Sequence, residues 1–339
     1  MNEDAPSPAA FAGLAWQALR VRERWRVAEI AFWVGLVAVY FVFPKQLLFA
    51  SQILITGLFA LSLDLILGYA GIVTLGHAAF FGLGAYSAGL LAKYGLADPL
   101  AGLLVAAAVA GMVGYFSSFL VLRGGDLARL MITLGIGLLL FELANQASEI
   151  TGGVDGLQGV EIGPLLGLFR FDFLGKVAYV YVLVVSFVLF VLVRALMMSP
   201  YGLSLRGIRE NPRRAVAIGV PIRARLTNIY TFAATIAGVA GALLAQTTQF
   251  VALDVLSFQR SADLLIILIV GGTATLYGGF IGAALFLIAQ DRLAHLSPEY
   301  WLFWLGILLI VTTLFLDAGI MGGLLRIDRL LRRRFGGTL

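Results

Sequence analysis

The sequence predicts an all-α, polytopic integral membrane protein, and three observations lead to that prediction. First, 60% of the 339 residues are hydrophobic and only 13% are charged, against about 25% charged residues in an average soluble domain. Second, the mean hydropathy is +0.96. Third, apolar stretches follow one another along most of the chain, and a spanning helix needs about 20 mostly apolar residues. A chain of this composition cannot hide its apolar surface from water, so we expect its solvent to be lipid.

We count about ten candidate spans, several of them short or interrupted by glycine. They cover roughly residues 27–43, 47–67, 71–94, 99–122, 129–150, 177–197, 226–249, 261–274, 278–292 and 300–317. The 40 glycines are spread through these stretches, where glycine permits helix backbones to approach closely. The predicted organisation is an N-terminal segment at 1–26, a membrane domain at 27–317 and a basic tail at 318–339.

Several classes of protein are excluded by what the sequence lacks. It has no cysteine and only two histidines, so we expect neither disulfides, thiol chemistry nor a metal site, and no cofactor. It has no P-loop, so this chain does not hydrolyse ATP by the usual route. An intramembrane enzyme would need a catalytic set, and no G-x-S-x-G or H-E-x-x-H motif occurs. Basic residues cluster at the ends of spans, which argues against nucleic acid as a partner. The polar N-terminus does not resemble a cleaved signal peptide.

Charge predicts the orientation, because short basic connections face the cytoplasm. Counting arginine and lysine against aspartate and glutamate gives +2 over 20–29 at the start of the first span, +1 over 122–129, +5 over 199–225 and +4 in the tail, but −1 over 151–176. Ten spans with both termini inside place the four basic segments in the cytoplasm and the loop 151–176 outside. Eight or nine spans remain an alternative, because 71–94 and 261–292 are broken by glycine.

The connector 199–225 is the most unusual segment, since it carries six arginines against one acid. Ser199-Pro200 and Asn211-Pro212 each combine an N-cap residue with proline at the first helical position. They predict two short helices, at about 200–210 and 212–219, with Gly219 as the stop. We expect a docking surface for a cytoplasmic partner, in which Leu205 and Ile208 fill a cleft and Arg206, Arg209 and Arg213 meet an acidic rim. Glu210, Asn211 and Pro212 complete this candidate site. The alternative is a basic loop that only sets the topology.

Two glycine-rich segments, 68–89 and 270–284, interrupt apolar stretches in the two halves of the chain. Such corresponding interruptions often mark broken helices near a transport path, and irregular backbone at membrane depth must be buried or line a cavity. The candidate path residues are Gly71, Thr74, Gly76, His77, Gly272, Thr273 and Thr275. The alternative is that these glycines serve packing alone.

Ionisable residues at membrane depth are costly and tend to be functional. Asp64, His77, Glu142, Asp263 and Asp291 qualify by position. The sequence leaves open whether Asp64 and Glu142 have a structural or a functional role, and it shows no series of carboxylates resembling a proton relay.

Six stretches, in order, resemble the LivM-type permeases of branched-chain amino acid ABC importers. They are LGYAGIVTLGHAAFFGLGAYSAGLLA (67–92), RGGDLARLMITLGIGLLLFEL (123–143), TGGVDGLQGV (151–160), SPYGLSLRGIRENPRRAVAIGV (199–220), AGVAGALLA (237–245) and DLLIILIVGGTATLYGGFIGAAL (263–285). Each motif alone is moderately specific, and the ordered set is highly specific.

The resemblance implies a permease subunit in a bacterial inner membrane, spanning the lipid bilayer with about ten helices. It also implies a second, related permease subunit, two cytoplasmic ATP-binding subunits and an extracytoplasmic solute-binding protein. The connector 199–225 matches the family's loop that seats a coupling helix in the ATPase. Permeases for urea or short amides share this architecture and remain an alternative. A stand-alone secondary transporter is a further alternative, but the structured basic connector argues against it.

Overall fold

The computed structural model describes residues 27–172, 174–315 and 319–323, and its named elements are all helices. The predicted segment 1–26 and most of the predicted tail 318–339 lie outside the described residues. The α-helices are α1 (Val27–Val42), α2 (Leu47–Asp64), α3 (Ala78–Lys93), α4 (Pro99–Val121), α5 (Asp126–Gln146), α6 (Ser148–Thr151), α7 (Lys176–Met198), α8 (Pro200–Glu210), α9 (Pro212–Ala217), α10 (Ile222–Thr248), α11 (Phe258–Gly271), α12 (Gly278–Leu296) and α13 (Trp301–Phe315). Leu65–Tyr69 extends α2 by a π-helical turn, and Gly153–Asp155 and Leu253–Leu256 are 3-10 turns.

The prediction of an all-α polytopic membrane protein is confirmed. Within the described residues, five helices are long and apolar enough to cross a bilayer by length and composition, and they are Leu47–Tyr69, Pro99–Val121, Asp126–Gln146, Lys176–Met198 and Ile222–Thr248. The other predicted spans coincide with α1, α3, α11, α12 and α13. Helix α3 begins at Ala78 rather than at 71, and α11 ends at Gly271 rather than at 274. The backbone is not helical at Gly71 (φ 73°) or at Gly272 (φ 107°).

Helix α10 lies at the centre of the bundle and packs mainly against α3 and α4. Small residues permit the close approach: a Cβ on Gly238 would lie 2.8 Å from the carbonyl oxygen of Ala106 in α4. A Cβ on Gly241 would lie 2.9 Å from the backbone nitrogen of Ala85 in α3. Membrane helices associate through such packing, because lipid supplies no hydrophobic force between them.

The bundle has two distinct ends. At the loop end, Leu157 and Val251 form an isolated antiparallel bridge, and Gly163 donates to the Ala97 carbonyl at 2.9 Å. At the connector end lie α8 and α9. Helix α7 joins the two ends, and its 23 residues measure about 35 Å at 1.5 Å per residue. That length exceeds a hydrocarbon core of about 30 Å, so the loop and the connector lie on opposite faces of the bundle.

Candidate coupling and translocation site

The connector folds into two short helices that meet at Asn211, as predicted. The Ser199 hydroxyl accepts a hydrogen bond from the Tyr201 backbone at 3.2 Å, and the Asn211 side chain accepts one from the Arg214 backbone at 3.0 Å. Each cap is followed by proline, whose missing N–H removes one unsatisfied donor. Helix α9 ends at Ala217, two residues before Gly219, which has a φ of 82°.

The structure corrects the prediction that Leu205 and Ile208 enter a cleft of a partner. Their side chains are 0% and 3% exposed, because that face of α8 packs against the bundle. A buried side chain cannot anchor another protein in this conformation. The exposed apolar side chains of the connector are instead Leu203, Val216 and Ile218, at 39%, 62% and 74% exposure.

Polar residues accompany these exposed side chains. Residues Glu210 to Arg214 are all exposed, so the predicted Glu210, Asn211, Pro212 and Arg213 lie together on the outer face. Tyr201 ties the inner face to the start of α10, because its hydroxyl donates to the Arg225 carbonyl at 2.9 Å. Burial raises the pKa of Tyr201, with Arg225 acting in the opposite direction, so the hydroxyl keeps its proton at neutral pH.

Two arginines of α8 contact the first broken segment rather than solvent alone. The Arg206 guanidinium lies 5.0 Å from the centre of the Tyr69 ring. The Arg209 guanidinium donates a hydrogen bond to the Gly68 carbonyl oxygen. A Cβ on Gly71 would lie 2.9 Å from Arg209 Cγ, so the absence of a side chain there gives the arginine stem room.

Asp64 joins the first broken segment to the second. Its side chain is 1% exposed, and its two carboxylate oxygens accept hydrogen bonds from the backbone N–H groups of Ala274 and Leu276, at 2.6 and 3.4 Å. Arg209 also interacts electrostatically with this carboxylate. Buried charges need such partners, so Asp64, whose role the sequence left open, holds the second break in place.

Gly68 lies between these groups. A Cβ there would be 2.6 Å from the Ala274 backbone nitrogen and would also meet the Asp64 carboxylate. We call the set Asp64, Gly68, Arg209, Ala274 and Leu276 the coupling network. It brings together Arg209, which is a predicted coupling residue, and the two broken segments, 68–89 and 270–284.

The first break buries its polar side chains within the chain. Thr74 and His77 are each 1% exposed. His77 Nε2 is 2.8 Å from the Ser62 hydroxyl, and its ring stacks on Phe59 with centroids 5.6 Å apart. The Leu75 N–H donates to the Thr133 hydroxyl at 3.3 Å, and Gly76 lies directly against the Thr133 carbonyl. In this conformation His77 and Thr74 therefore do not reach solvent.

The second break has the more unusual backbone. Ala274 and Leu276 have φ angles of 59° and 61°, a region that residues with a side chain seldom adopt. The Thr275 hydroxyl donates to the Gly272 carbonyl at 2.8 Å and accepts from the Gly278 N–H at 3.0 Å. Thr273 and Thr275 are partly exposed, so this break, unlike the first, presents polar side chains at its surface.

The remaining predicted ionisable residues do not join the network. Glu142 is exposed on α5 and accepts from Gln146 at 2.9 Å. Asp263 accepts from Gln259 at 2.9 Å, and Asp291 lies 3.7 Å from His295. Sequence reasoning missed Ser62 and Thr133, whose roles depend on contacts between distant helices and leave no local signal. It included Gly68 in the first glycine-rich segment but gave it no role of its own.

Fold and site together define a polytopic helical membrane protein with two broken helices and a structured connector. Comparison with known proteins agrees. Residues 46–313 match the family model of the branched-chain amino acid transport system permease component, so the chain belongs to that family. Its members are transport proteins, not enzymes.

The curated relatives carry the same description. The chain is 30% identical over 302 residues to the high-affinity branched-chain amino acid transport system permease protein LivM of Salmonella typhimurium, covering 80% of this chain and 69% of the relative. The LivM protein of Escherichia coli gives the same values. A probable branched-chain amino acid transport permease protein LivH of Methanocaldococcus jannaschii is 29% identical over 201 residues, covering 57% and 61%. No solved structure matches the chain. The chain is thus a LivM-type permease.

Proposed function

We propose that the chain is the transmembrane permease subunit of an ABC importer for branched-chain or related amino acids. It forms half of the translocation path and couples that path to ATP hydrolysis in a separate subunit. The observation that carries the proposal is the hydrogen bond from Arg209 of the connector to the Gly68 carbonyl. Through it, a helix exposed to a partner holds the broken segment directly.

The coupling network supplies a route for movement. A displacement of α8 carries Arg209 with it, and therefore acts on Gly68 and on the Asp64 carboxylate beside it. Asp64 in turn holds the second break at Ala274 and Leu276. Packed elements of this kind tend to shift between discrete arrangements rather than deform gradually. One movement at the connector thus reaches both broken segments. In the second arrangement, these segments expose their buried side chains to the translocation path.

The proposed partners follow from the two ends of the molecule. The connector, with a net charge of +5 over 199–225, faces the cytoplasm and two ATP-binding subunits. The loop 151–176, with a net charge of −1, faces outward and receives a solute-binding protein. A second, related permease completes the path. Both termini are cytoplasmic, and the assembly resides in the bacterial inner membrane.

The test is Arg209→Gln, which removes the charge and the reach of the guanidinium. We expect the importer to assemble and to hydrolyse ATP, while uptake falls by about 5- to 150-fold, the range of a coupling free energy of about 1–3 kcal/mol. Arg223→Gln is the matched control, because Arg223 is an exposed arginine of the same connector outside the coupling network. Uptake in Arg209→Gln equal to that of the control would contradict the proposed route.

A further inference from the structure

The second break is also held by residues outside the coupling network. Tyr277 ends the irregular backbone of this break and directly precedes α12. Its backbone N–H donates to the Thr275 carbonyl at 2.8 Å, and its own carbonyl accepts from the Ile281 N–H at 3.1 Å. The Tyr277 backbone is thus tied to the break on one side and to α12 on the other, so a displacement of its side chain acts on both.

The Tyr277 ring packs between α1 and α7. Its centroid lies 4.7 Å from that of Phe190 in α7 and 5.2 Å from that of Phe32 in α1. Trp33 extends the cluster, with its ring 5.2 Å from that of Phe190. Tyr277 is only 7% exposed, so these two helices determine where its side chain lies.

An ion pair joins α1 to α7 one helical turn from the rings. Arg194 follows Phe190 by four residues and Glu29 precedes Phe32 by three, so each charge shares a helix face with a ring. Nε of Arg194 donates to a Glu29 carboxylate oxygen at 3.1 Å, and a second guanidinium nitrogen lies 3.1 Å from the same oxygen. The side chains of Arg194 and Glu29 are 8% and 15% exposed. Salt screens a buried pair much less than an exposed one, so this pair holds the two helices together.

Two buried donors beside this pair are unused. The Tyr277 hydroxyl and the Trp33 indole N–H form no hydrogen bond of normal geometry within the described part of the chain. Glu29, Arg194 and Trp33 nevertheless lie close enough to the Tyr277 hydroxyl to act on it. A buried donor without an acceptor costs free energy, and a carboxylate accepts from several donors. The Tyr277 hydroxyl is therefore placed to replace Arg194 as a donor to Glu29.

The end of α7 that carries Arg194 is joined closely to the connector. Helix α7 ends four residues after Arg194, and α8 begins two residues later. A Cβ on Gly202 of α8 would lie 2.6 Å from Cα of Met197 in α7, and the Ser199 hydroxyl between the helices donates to the Leu196 carbonyl at 2.7 Å. A displacement of α8 therefore moves the end of α7. Arg194 lies about 6 Å of helix from that end, so its long side chain reaches the aqueous face when released.

We propose that Glu29 and Arg194 are positioning residues for transport, and that Glu29 exchanges Arg194 for the Tyr277 hydroxyl when the connector moves. While the pair is intact, α1 and α7 hold Tyr277 and keep the second break in its present arrangement. When α8 draws Arg194 away, the Tyr277 hydroxyl donates to Glu29 and shifts the start of α12. The inference rests on the proposed function, and it gives the connector a second route to the path that does not pass through Arg209 or Asp64.

The chain has no native cysteine, so a single thiol reports how often the second break opens. Leu276→Cys is the reporter, because Leu276 is 3% exposed and its backbone N–H, which the substitution keeps, bonds to Asp64. Its reaction with a charged maleimide is timed in the full-length chain, purified together with the subunits that bind it. Ser186→Cys is the reference thiol, because Ser186 is fully buried on α7 and reports general loosening of the bundle.

The exchange predicts effects of opposite sign from its two donors. Arg194→Gln should speed labelling at position 276 about tenfold, the effect of one hydrogen bond to a charged group, without a matching change at 186. Arg194→Lys, which keeps the charge, should restore part of the slow rate. Tyr277→Phe keeps the ring and removes only the hydroxyl, so it should slow labelling at 276 and cancel much of the acceleration when added to Arg194→Gln.

Asp126→Asn is the matched control. It breaks the Arg129–Asp126 ion pair, which has the same length of 3.1 Å but lies within α5, with an exposed carboxylate. Both labelling rates should stay as they are in the parent chain.

A pair that only stabilises the fold gives a different result. Arg194→Gln would then speed labelling at 186 as much as at 276, which would overturn the positioning role. A Tyr277→Phe chain that labels at 276 as fast as its parent would overturn the exchange. Neither rate requires transport, so the proposed function is judged separately. Normal uptake in Arg209→Gln together with the predicted labelling rates would contradict the Arg209 route and leave this second route standing.

Discussion

Gly76 shows how tightly the first break is held at the scale of single residues. The Thr133 carbonyl lies directly against the position that a Cβ of residue 76 would occupy. Gly137 lies on the same face of α5 as Thr133, and a Cβ built on Gly137 would be 3.4 Å from the Gly76 Cα. Backbone cannot move aside as the end of a side chain can. Glycine is therefore required at position 76 by close approach and not by an unusual φ angle.

We predict that Gly76→Ala destabilises the protein by about 1–3 kcal/mol, the usual cost of overpacking a well-packed site. The measurement is thermal unfolding of the purified chain in detergent. Gly135→Ala is the control, because Gly135 lies on α5 with nothing within 4 Å of the added methyl group. It should be neutral or stabilising by about 0.5–1 kcal/mol, as expected for alanine in a helix. A Gly76→Ala protein as stable as the control would show that the segment yields at little cost.

Asp64 is the residue whose role the sequence could not decide. Its two hydrogen-bond donors lie 210 and 212 residues further along the chain. Hydrophobic pattern and local motifs carry no information about such a contact. Asp64 also satisfies the backbone N–H groups of Ala274 and Leu276, which lie outside any helix and would otherwise lack an acceptor.

Among the elements, the connector was the most predictable part of the chain. Ser199-Pro200 and Asn211-Pro212 act locally, since each cap bonds to a backbone N–H two or three residues away. Local chemistry therefore fixed both helices. Which face of α8 is buried depends on Tyr69, Gly68 and Gly71, which the chain brings in from the first break. For that reason the sequence predicted the helices correctly and assigned Leu205 and Ile208 to the wrong surface.

The corrected surface makes a prediction for the element. Val216→Asp together with Ile218→Asp should weaken co-purification of the ATP-binding subunit while the permease still inserts and remains soluble in detergent. The reason is that both side chains are exposed, at 62% and 74%, and buried apolar anchors contribute most to an interface.

Leu205→Asp is the contrasting variant. Leu205 is fully buried in the chain itself, and a carboxylate there would lack a partner, at a cost of several kcal/mol. It should lower the yield of folded permease, measured by size-exclusion chromatography, before any effect on the partner is seen. Normal co-purification in the Val216 and Ile218 double variant would place the docking surface elsewhere on the connector.

At the scale of the whole molecule, helix α2 runs from the loop end to the coupling network. Leu48, near the start of α2, packs against Gly175 of the loop, and the helix ends at Asp64. The distance from Leu48 to Asp64 is about 24 Å of helix. A rigid helix transmits displacement along its axis, so the coupling network at one end is mechanically linked to the loop at the other.

This arrangement depends on the orientation that the charges predict, with the loop end outside and the connector end inside. Gly156, within the loop, is a poor place to probe it, because Leu157 beside it is buried and bridged to Val251. The turn around Gly167 is better. Leu166 and Leu168 are 67% and 79% exposed, and Gly167 has nothing within 4 Å of its missing Cβ.

We predict that a protease site inserted after Gly167 is cut when protease is added to intact spheroplasts. Exposed loop tips are preferred sites of cleavage and tolerate insertion. A site inserted after Gly219, which is exposed at the end of α9 with open space around it, is the matched control and should be cut only in inverted vesicles. The fragments are resolved by electrophoresis with a tag at the C-terminus. Cleavage in the reverse pattern would place the connector outside the cell, and no cytoplasmic ATP-binding subunit would then reach Arg209.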